Sequence, residues 1–190
     1  MKSMKYFLVL LLSFSFSVAA FAQDDSFGFT NKAEAENKMV NGLKEGKWVE
    51  NECVLIVTSN HDTIPEPYSY TLTVYKRGKP LGIVRVYYVN GKLMKLIPYI
   101  NGEKKGMEKG YYGSGKLEYE CTYKNGVENG MGKLYYENGR IEREDNYSNG
   151  VFNGVMKEYN ESGKLVSQSL FKNGKVIYEK HYDENGDEIK

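Results

Sequence analysis

Along most of the chain, apolar and aromatic positions alternate with polar ones in short runs that stop at glycine. Ile83 to Tyr88 and Leu93 to Tyr99 are two such runs, of six and seven residues. They are rich in β-branched and aromatic side chains and too short for helices, so they predict strands. The interruptions form a lattice: Gly78, Gly102, Gly126, Gly150 and Gly174 are each 24 residues apart, as are Gly82, Gly106, Gly130 and Gly154. A third row at the same spacing holds Gly91, Gly115, Gly139 and Gly163, and aromatic residues keep step as Tyr87, Tyr111, Tyr135, Tyr159 and as Tyr75, Tyr99, Tyr123, Tyr147, Phe171. A fixed period of this length marks a repeat architecture.

Within each unit, Asn90-Gly91, Ser114-Gly115, Asn138-Gly139 and Ser162-Gly163 read as two-residue hairpin turns in which both positions take positive φ. The glycine row that includes Gly102 and Gly126 then marks the longer connections. Two strands per unit, each hairpinned to the next, predict an all-β fold: a single-layered antiparallel β-meander built from tandem 24-residue hairpin repeats, open at both ends. Counting back from the loop at Ser114-Gly115 sets Lys109 opposite Glu120, Met107 opposite Thr122 and Tyr111 opposite Glu118 on one face. On the other face Glu108 opposes Cys121, Gly110 opposes Tyr119 and Tyr112 opposes Leu117. The next unit repeats this, with Lys133 opposite Glu144 and Tyr135 opposite Glu142, and Leu134 opposite Arg143 on the more apolar side.

The flanks read differently. Residues 1–22 have the form of a secretory signal peptide, with Lys2 and Lys5, an apolar stretch from Tyr6 to Leu12, and Ala20-Phe21-Ala22 before the expected cleavage. Residues 23–40 read as a polar linker with one helical turn, capped by Thr30 or Asn31 with Glu34 as capping partner. The repeat domain spans 41–190, with full units over about 78–171 and a shortened last unit. Its first unit is degenerate: Gly42 to Gly78 is 36 residues, so 12 are inserted. They are expected near 58–68, where Pro65 and Pro67 would break pairing and leave a contact loop or an irregular cap.

Charge narrows the function classes. Without residues 1–22 the chain has 24 basic and 25 acidic side chains, so there is no global basic field for nucleic acid. The cations Arg85, Lys109, Lys133 and Lys157 form a row at about 9.6 Å spacing that resembles an anion ladder. Glu120 and Glu144 opposite them make local salt pairing the more economical account. His61 and His181 lie near opposite ends of the array with no ligand-spaced neighbour, which argues against a His-based metal centre. No nucleophile, acid–base pair or cofactor motif stands out, and the chain reads as a non-enzyme. Cys53 and Cys121 fall about four strands apart in a meander, too far for a disulfide, so free thiols are expected.

The unit Asn-Gly-x-x-x-Gly-(apolar)-x-(Lys/Arg)-x-Tyr-Tyr-x-x-Gly-(Lys/Arg)-(Leu/Ile), complete from Gly78 to Phe171 and partial at Gly42 and Gly174, resembles the bacterial variant of the MORN repeat. The resemblance covers residues 41–190. It implies a single-layered sheet of hairpins that serves as a protein or membrane interaction module without catalytic machinery, and many bacterial members carry an antitoxin-type label. The expected function is a secreted or periplasmic scaffold that contacts another protein or envelope component through its tyrosine-rich face. The alternatives are a membrane-surface binder, disfavoured by the mature charge, and an antitoxin-like protein that binds a toxin. A single sheet with little spare chain also leaves room for homo-oligomerisation.

Overall fold

Left-handed glycines set the path of the chain in the computed structural model, which describes residues 28–57 and 63–189, with backbone alone for 53–57 and 63–67. The strands are β1 (Lys38–Val40), β2 (Leu43–Val57), β3 (Thr63–Lys76), β4 (Lys79–Tyr88), β5 (Leu93–Ile100), β6 (Glu103–Lys104), β7 (Gly106–Tyr111), β8 (Leu117–Lys124), β9 (Val127–Tyr135), β10 (Ile141–Ser148), β11 (Val151–Phe152), β12 (Gly154–Tyr159), β13 (Leu165–Lys172), β14 (Lys175–Tyr182) and β15 (Glu188–Ile189). They pair antiparallel in chain order in one open sheet. β6 and β7 are two pieces of one strand on β5, and β11 and β12 are two pieces on β10. The meander expected from the 24-residue period is thus the observed fold.

The turn assignment needs correction. The two-residue turns in which both positions are left-handed lie at Asn41-Gly42, Arg77-Gly78, Asn101-Gly102, Asn125-Gly126, Asn149-Gly150 and Asn173-Gly174. The row at Gly91, Gly115, Gly139 and Gly163 has positive φ at the glycine alone. There the Gly115 amide donates to the Tyr112 carbonyl at 2.7 Å and the Tyr112 amide to the Lys116 carbonyl at 2.9 Å. That is a type I turn followed by a glycine bulge. The residue types explain the exchange: asparagine tolerates the left-handed region, whereas serine at 114 and 162 does not do so readily.

Register follows from the same correction. Lys109↔Glu120, Glu108↔Cys121 and Met107↔Thr122 pair as expected, but Tyr111 faces Leu117 and Glu118 is an extra bulged residue. One unit later Lys133↔Glu144 and Leu134↔Arg143 hold, whereas Tyr135 faces Ile141 and Glu142 is bulged.

The expected loop near 58–68 is also corrected. β2 and β3 stay paired as far as Val57↔Thr63, with Pro67 opposite Cys53 and Pro65 opposite Leu55. The prolines are tolerated because β4 stops pairing with β3 at Ser69↔Tyr88. Past Tyr68, whose carbonyl accepts from the Val89 amide at 3.2 Å, this side of β3 is an open edge among the described residues, where a missing N–H costs no ladder bond. Residues 58–62, with His61, and residues 1–27, with the expected signal peptide, lie outside the described residues, as does the Cys53 side chain.

The stretch read as a polar linker is docked. Asn31 caps the 3₁₀ turn Lys32–Glu34 by accepting from the Ala33 amide at 3.0 Å, while Glu34 reaches Lys47 Nζ at 2.6 Å instead of closing a capping box. Phe29, 4% exposed, lies on Leu72 (0%) and Val74 (2%), with Tyr70 and Tyr87 packed at the margin. This cluster is the larger part of the buried apolar core among the described residues, with Val84 and Val86 buried outside it. It exists because residues 28–37 cross one face of the first hairpins: Gly28 abuts Ile83 and Arg85, and the Glu36 and Asn37 amides donate to the Lys47 carbonyl.

Candidate interaction face

Alternation along the strands places Lys109 and Tyr111 of β7, Lys133 and Tyr135 of β9, and Lys157 and Tyr159 of β12 on one face, with Arg85 and Tyr87 of β4. Register aligns a straight transverse line, Arg85, Leu96, Lys109, Glu120, Lys133, Glu144, Lys157, Gln168, Lys180. Glu120 and Glu144 are each flanked by two lysines. Lys109 Nζ lies 3.6 Å from Glu120 and Lys133 Nζ 3.5 Å from Glu144. Such partly exposed pairs contribute about 0–1 kcal/mol each.

The tyrosines tie the repeats together on this face. Tyr135 donates its hydroxyl to Glu120 at 2.9 Å and Tyr159 to Glu144 at 3.1 Å, each reaching back one repeat. Their rings remain partly exposed beside Met107 and Met131, 46% and 51% exposed. Tyr87 is placed differently: it stacks on Tyr70 with centroids 5.1 Å apart, at the margin of the Phe29 cluster. Arg85 Nη1 donates to the Phe29 carbonyl at 3.4 Å and the Ile83 carbonyl at 3.3 Å. Six of the eight expected face residues therefore lie beyond the docked segment, and two lie at its edge.

One feature of the Tyr-Tyr pair escapes sequence reading. Tyr112 and Tyr136, the second members, donate to the Tyr135 and Tyr159 carbonyls, so each sews its repeat to the next. The 23-residue separation of donor and acceptor was the available signal.

The repeat variant model of the MORN family, MORN_2, matches residues 80–101, 104–125, 128–149 and 152–173. The chain is a MORN-repeat protein. No curated protein matches it significantly. Among solved structures it is similar to TarM and to a point mutant of S. aureus TarM in complex with Fondaparinux, alpha-GlcNAc-glycerol and UDP. Both comparisons have a TM-score of 0.37 and 14% identity, over 56% of this chain and 20% of the TarM chain.

The opposite face of the MORN sheet is closed by its own side chains. A shallow groove of about 250 Å³ is lined by Glu108, Tyr119, Cys121, Gly132, Asp145 and Tyr147. Glu108 is buried but answered, since Lys104 Nζ and Tyr119 Oη reach it at 2.7 and 2.8 Å. Buried Asp145 is ion-paired with Arg143, whose Nε donates to Oδ2 at 3.1 Å, while Oδ1, 2.9 Å from that nitrogen, accepts no hydrogen bond among the described residues. Burial holds Asp145 above the usual carboxylate range, with Arg143 opposing. Gly110 has no room for a side chain, since a Cβ there would lie 2.0 Å from the Tyr119 ring. Cys121 is free, and His181 is exposed with Glu179 at 3.7 Å. Among the described residues no cluster of His, Cys, Asp and Glu is placed to hold a metal ion.

Both faces shift their titrations upward. Burial pushes Tyr147 up to about 12, helped by the charge of Asp145, and pushes Tyr135 up to about 12, helped by its hydrogen bond to Glu120. Unfolded tyrosine ionises near 10. Between these values the unfolded chain releases protons that the folded chain retains, so stability is full below about pH 10 and is lost as pH rises through about 12. The tyrosinate absorbance lost in Tyr135→Phe and Tyr147→Phe should therefore be the part that rises together with unfolding instead of ahead of it. Burial likewise pushes the Cys121 thiol up to about 11, so Cys121 should resist alkylation at pH 8 in the folded protein.

Proposed function

We propose that this MORN-repeat chain is a non-catalytic scaffold that binds a partner protein across its tyrosine face, and that it works as an exported protein. The observation that supports this most is the state of the groups on that face beyond the Phe29 segment. The Tyr135 and Tyr159 hydroxyls and the Lys109 and Lys133 charges find partners within the sheet, while the rings stay partly exposed and the Met107 and Met131 side chains exposed among the described residues. A surface of rigid aromatic rings and methionines with pre-paired charges suits protein contact, because binding leaves few polar groups stranded. The same pairing weighs against an anionic membrane or a free phosphate as ligand, since Glu120 and Glu144 stand within the lysine row. Export rests on the signal-like residues 1–22, and an envelope component is the partner class it favours. A toxin partner is a second occupant of the same face that the family resemblance raises.

The test is a pull-down from envelope and culture fractions with the full chain, Tyr111→Ser/Tyr135→Ser and Lys109→Ala/Lys133→Ala, each checked for retained fold. The tyrosine variant should lose most of the captured partner and the lysine variant little. Loss with the lysine variant alone, or salt-sensitive sedimentation with anionic vesicles, would restore the anion-binding reading.

A further inference from the structure

We infer that the second repeat of the tyrosine face is a docking site for an extended segment of the partner protein, whose aromatic side chain seats over Leu96 and Pro98. This rests on the protein-binding reading of the face and specifies where on it the partner is anchored.

The first repeat supplies the template. Phe29 covers Leu72 and Val74, and the Arg85 guanidinium holds the Phe29 main-chain carbonyl. Moving 24 residues along the chain replaces Leu72 by Leu96, Val74 by Pro98, Arg85 by Lys109 and Tyr87 by Tyr111. Register is conserved with residue type, for Leu96 faces Lys109 across the ladder as Leu72 faces Arg85. The second repeat therefore presents the floor on which Phe29 sits in the first, but among the described residues nothing covers it. Leu96 and Pro98 are half-buried where Leu72 and Val74 are fully buried, and Met107 beside them is 46% exposed.

The later repeats do not offer this floor. The corresponding positions are Glu120 and Thr122 in the third unit, Glu144 and Asn146 in the fourth and Gln168 and Leu170 in the fifth, each of which would strand a carboxylate or amide under an apolar ring. The site is thus confined to one repeat and continues the track that residues 28–37 already occupy. Lys109 has three N–H donors and meets Glu120 at 3.6 Å, so it retains capacity for a main-chain carbonyl as Arg85 does. Exposed Lys105, whose amide bonds the Pro98 carbonyl, adds a second cation at the rim. The chemistry fits an extended segment of neutral or acidic character with a phenylalanine or similar anchor. Residues 28–37 cannot fill both places, because they are committed to the first repeat.

The probe is a labelled synthetic peptide with the sequence of residues 28–37, Gly-Phe-Thr-Asn-Lys-Ala-Glu-Ala-Glu-Asn, titrated with the full chain by fluorescence anisotropy. Saturable binding is expected. It should weaken at least about tenfold when the peptide phenylalanine is replaced by alanine, and by a similar factor in the protein variant Met107→Lys. Met107 is exposed and outside the Phe29 cluster, so this variant leaves the first repeat intact and discounts exchange of the peptide into it. Val176→Lys, an exposed position on β14 several strands away, should change affinity by less than about twofold. Absence of saturation up to about 1 mM, or binding indifferent to Met107→Lys, overturns the proposal. So does a marked gain in peptide affinity on Phe27→Ala, which would make the chain's own preceding residues the occupant. A dimeric mass in light scattering that Met107→Lys abolishes would make it a second copy. Failure of the peptide with partner capture still dependent on Tyr135 removes the subsite alone, whereas loss of that dependence removes the broader reading of the face.

Discussion

Leu72→Ala is expected to destabilise the protein by about 2–5 kcal/mol, because it empties the site where an apolar side chain of the sheet is fully enclosed. Leu72 is 0% exposed between the sheet and Phe29, with Val74 alongside. The cavity would be roofed by a segment held through the Arg85 bond to Phe29 and the Lys47 carbonyl, which limits how far the surroundings can collapse. In a chain of this size the change is a fall in Tm on the order of 10 °C. Leu96→Ala is the matched control: it occupies the equivalent ladder position one repeat on, where nothing described lies over it, and should cost about 1 kcal/mol. Calorimetry on the two variants separates the sheet from its cover. Equal losses would mean that Phe29 adds nothing to the enclosure of Leu72.

Gly154→Val is expected to cost about 3 kcal/mol or more, against about 1–2 kcal/mol for Gly139→Val. Both glycines have positive φ, 125° and 86°, which a β-branched residue adopts with strain. They differ in their surroundings. A Cβ at Gly139 meets nothing within 4 Å, whereas at Gly154 it would lie 3.0 Å from the Asn146 Cβ. Asn146 cannot easily retreat, since its amide nitrogen donates to the Val155 carbonyl at 2.6 Å and its carbonyl accepts from the Asn153 amide at 2.8 Å. Strain alone operates at Gly139, and strain plus a fixed neighbour operates at Gly154. Urea unfolding reads the difference, and equal midpoints would show that the bulge around Gly154 relaxes freely.

Much of this was legible before any coordinates, and the part that was not has identifiable causes. The lysine–glutamate pairs Lys109–Glu120 and Lys133–Glu144 follow from counting outward from a loop, because those positions lie beyond both bulges and the count survives the error. Nearer the loop it fails: Tyr111 and Tyr135 face Leu117 and Ile141, not glutamate, since one extra residue enters β8 and β10. Asparagine–glycine occurs in both turn rows, which concealed which row was the two-residue turn. The discriminating signal was the serine at 114 and 162, a residue that seldom enters the left-handed region.

Sequence alone determined the all-β class, the chain-order pairing of strands and the two chemically different faces, because period and alternation are local properties that each repeat states again. Tertiary structure alone decided that residues 28–37 cover the first repeat and leave the second open. A phenylalanine in a polar stretch has no period, and whether Phe29 docks depends on what lies beneath it: Leu72 and Val74, brought under it by a fold that joins residues more than forty positions apart. The same holds for Pro65 and Pro67, which read as strand breakers until β4 ends short of them and leaves an edge that asks for no amide hydrogen.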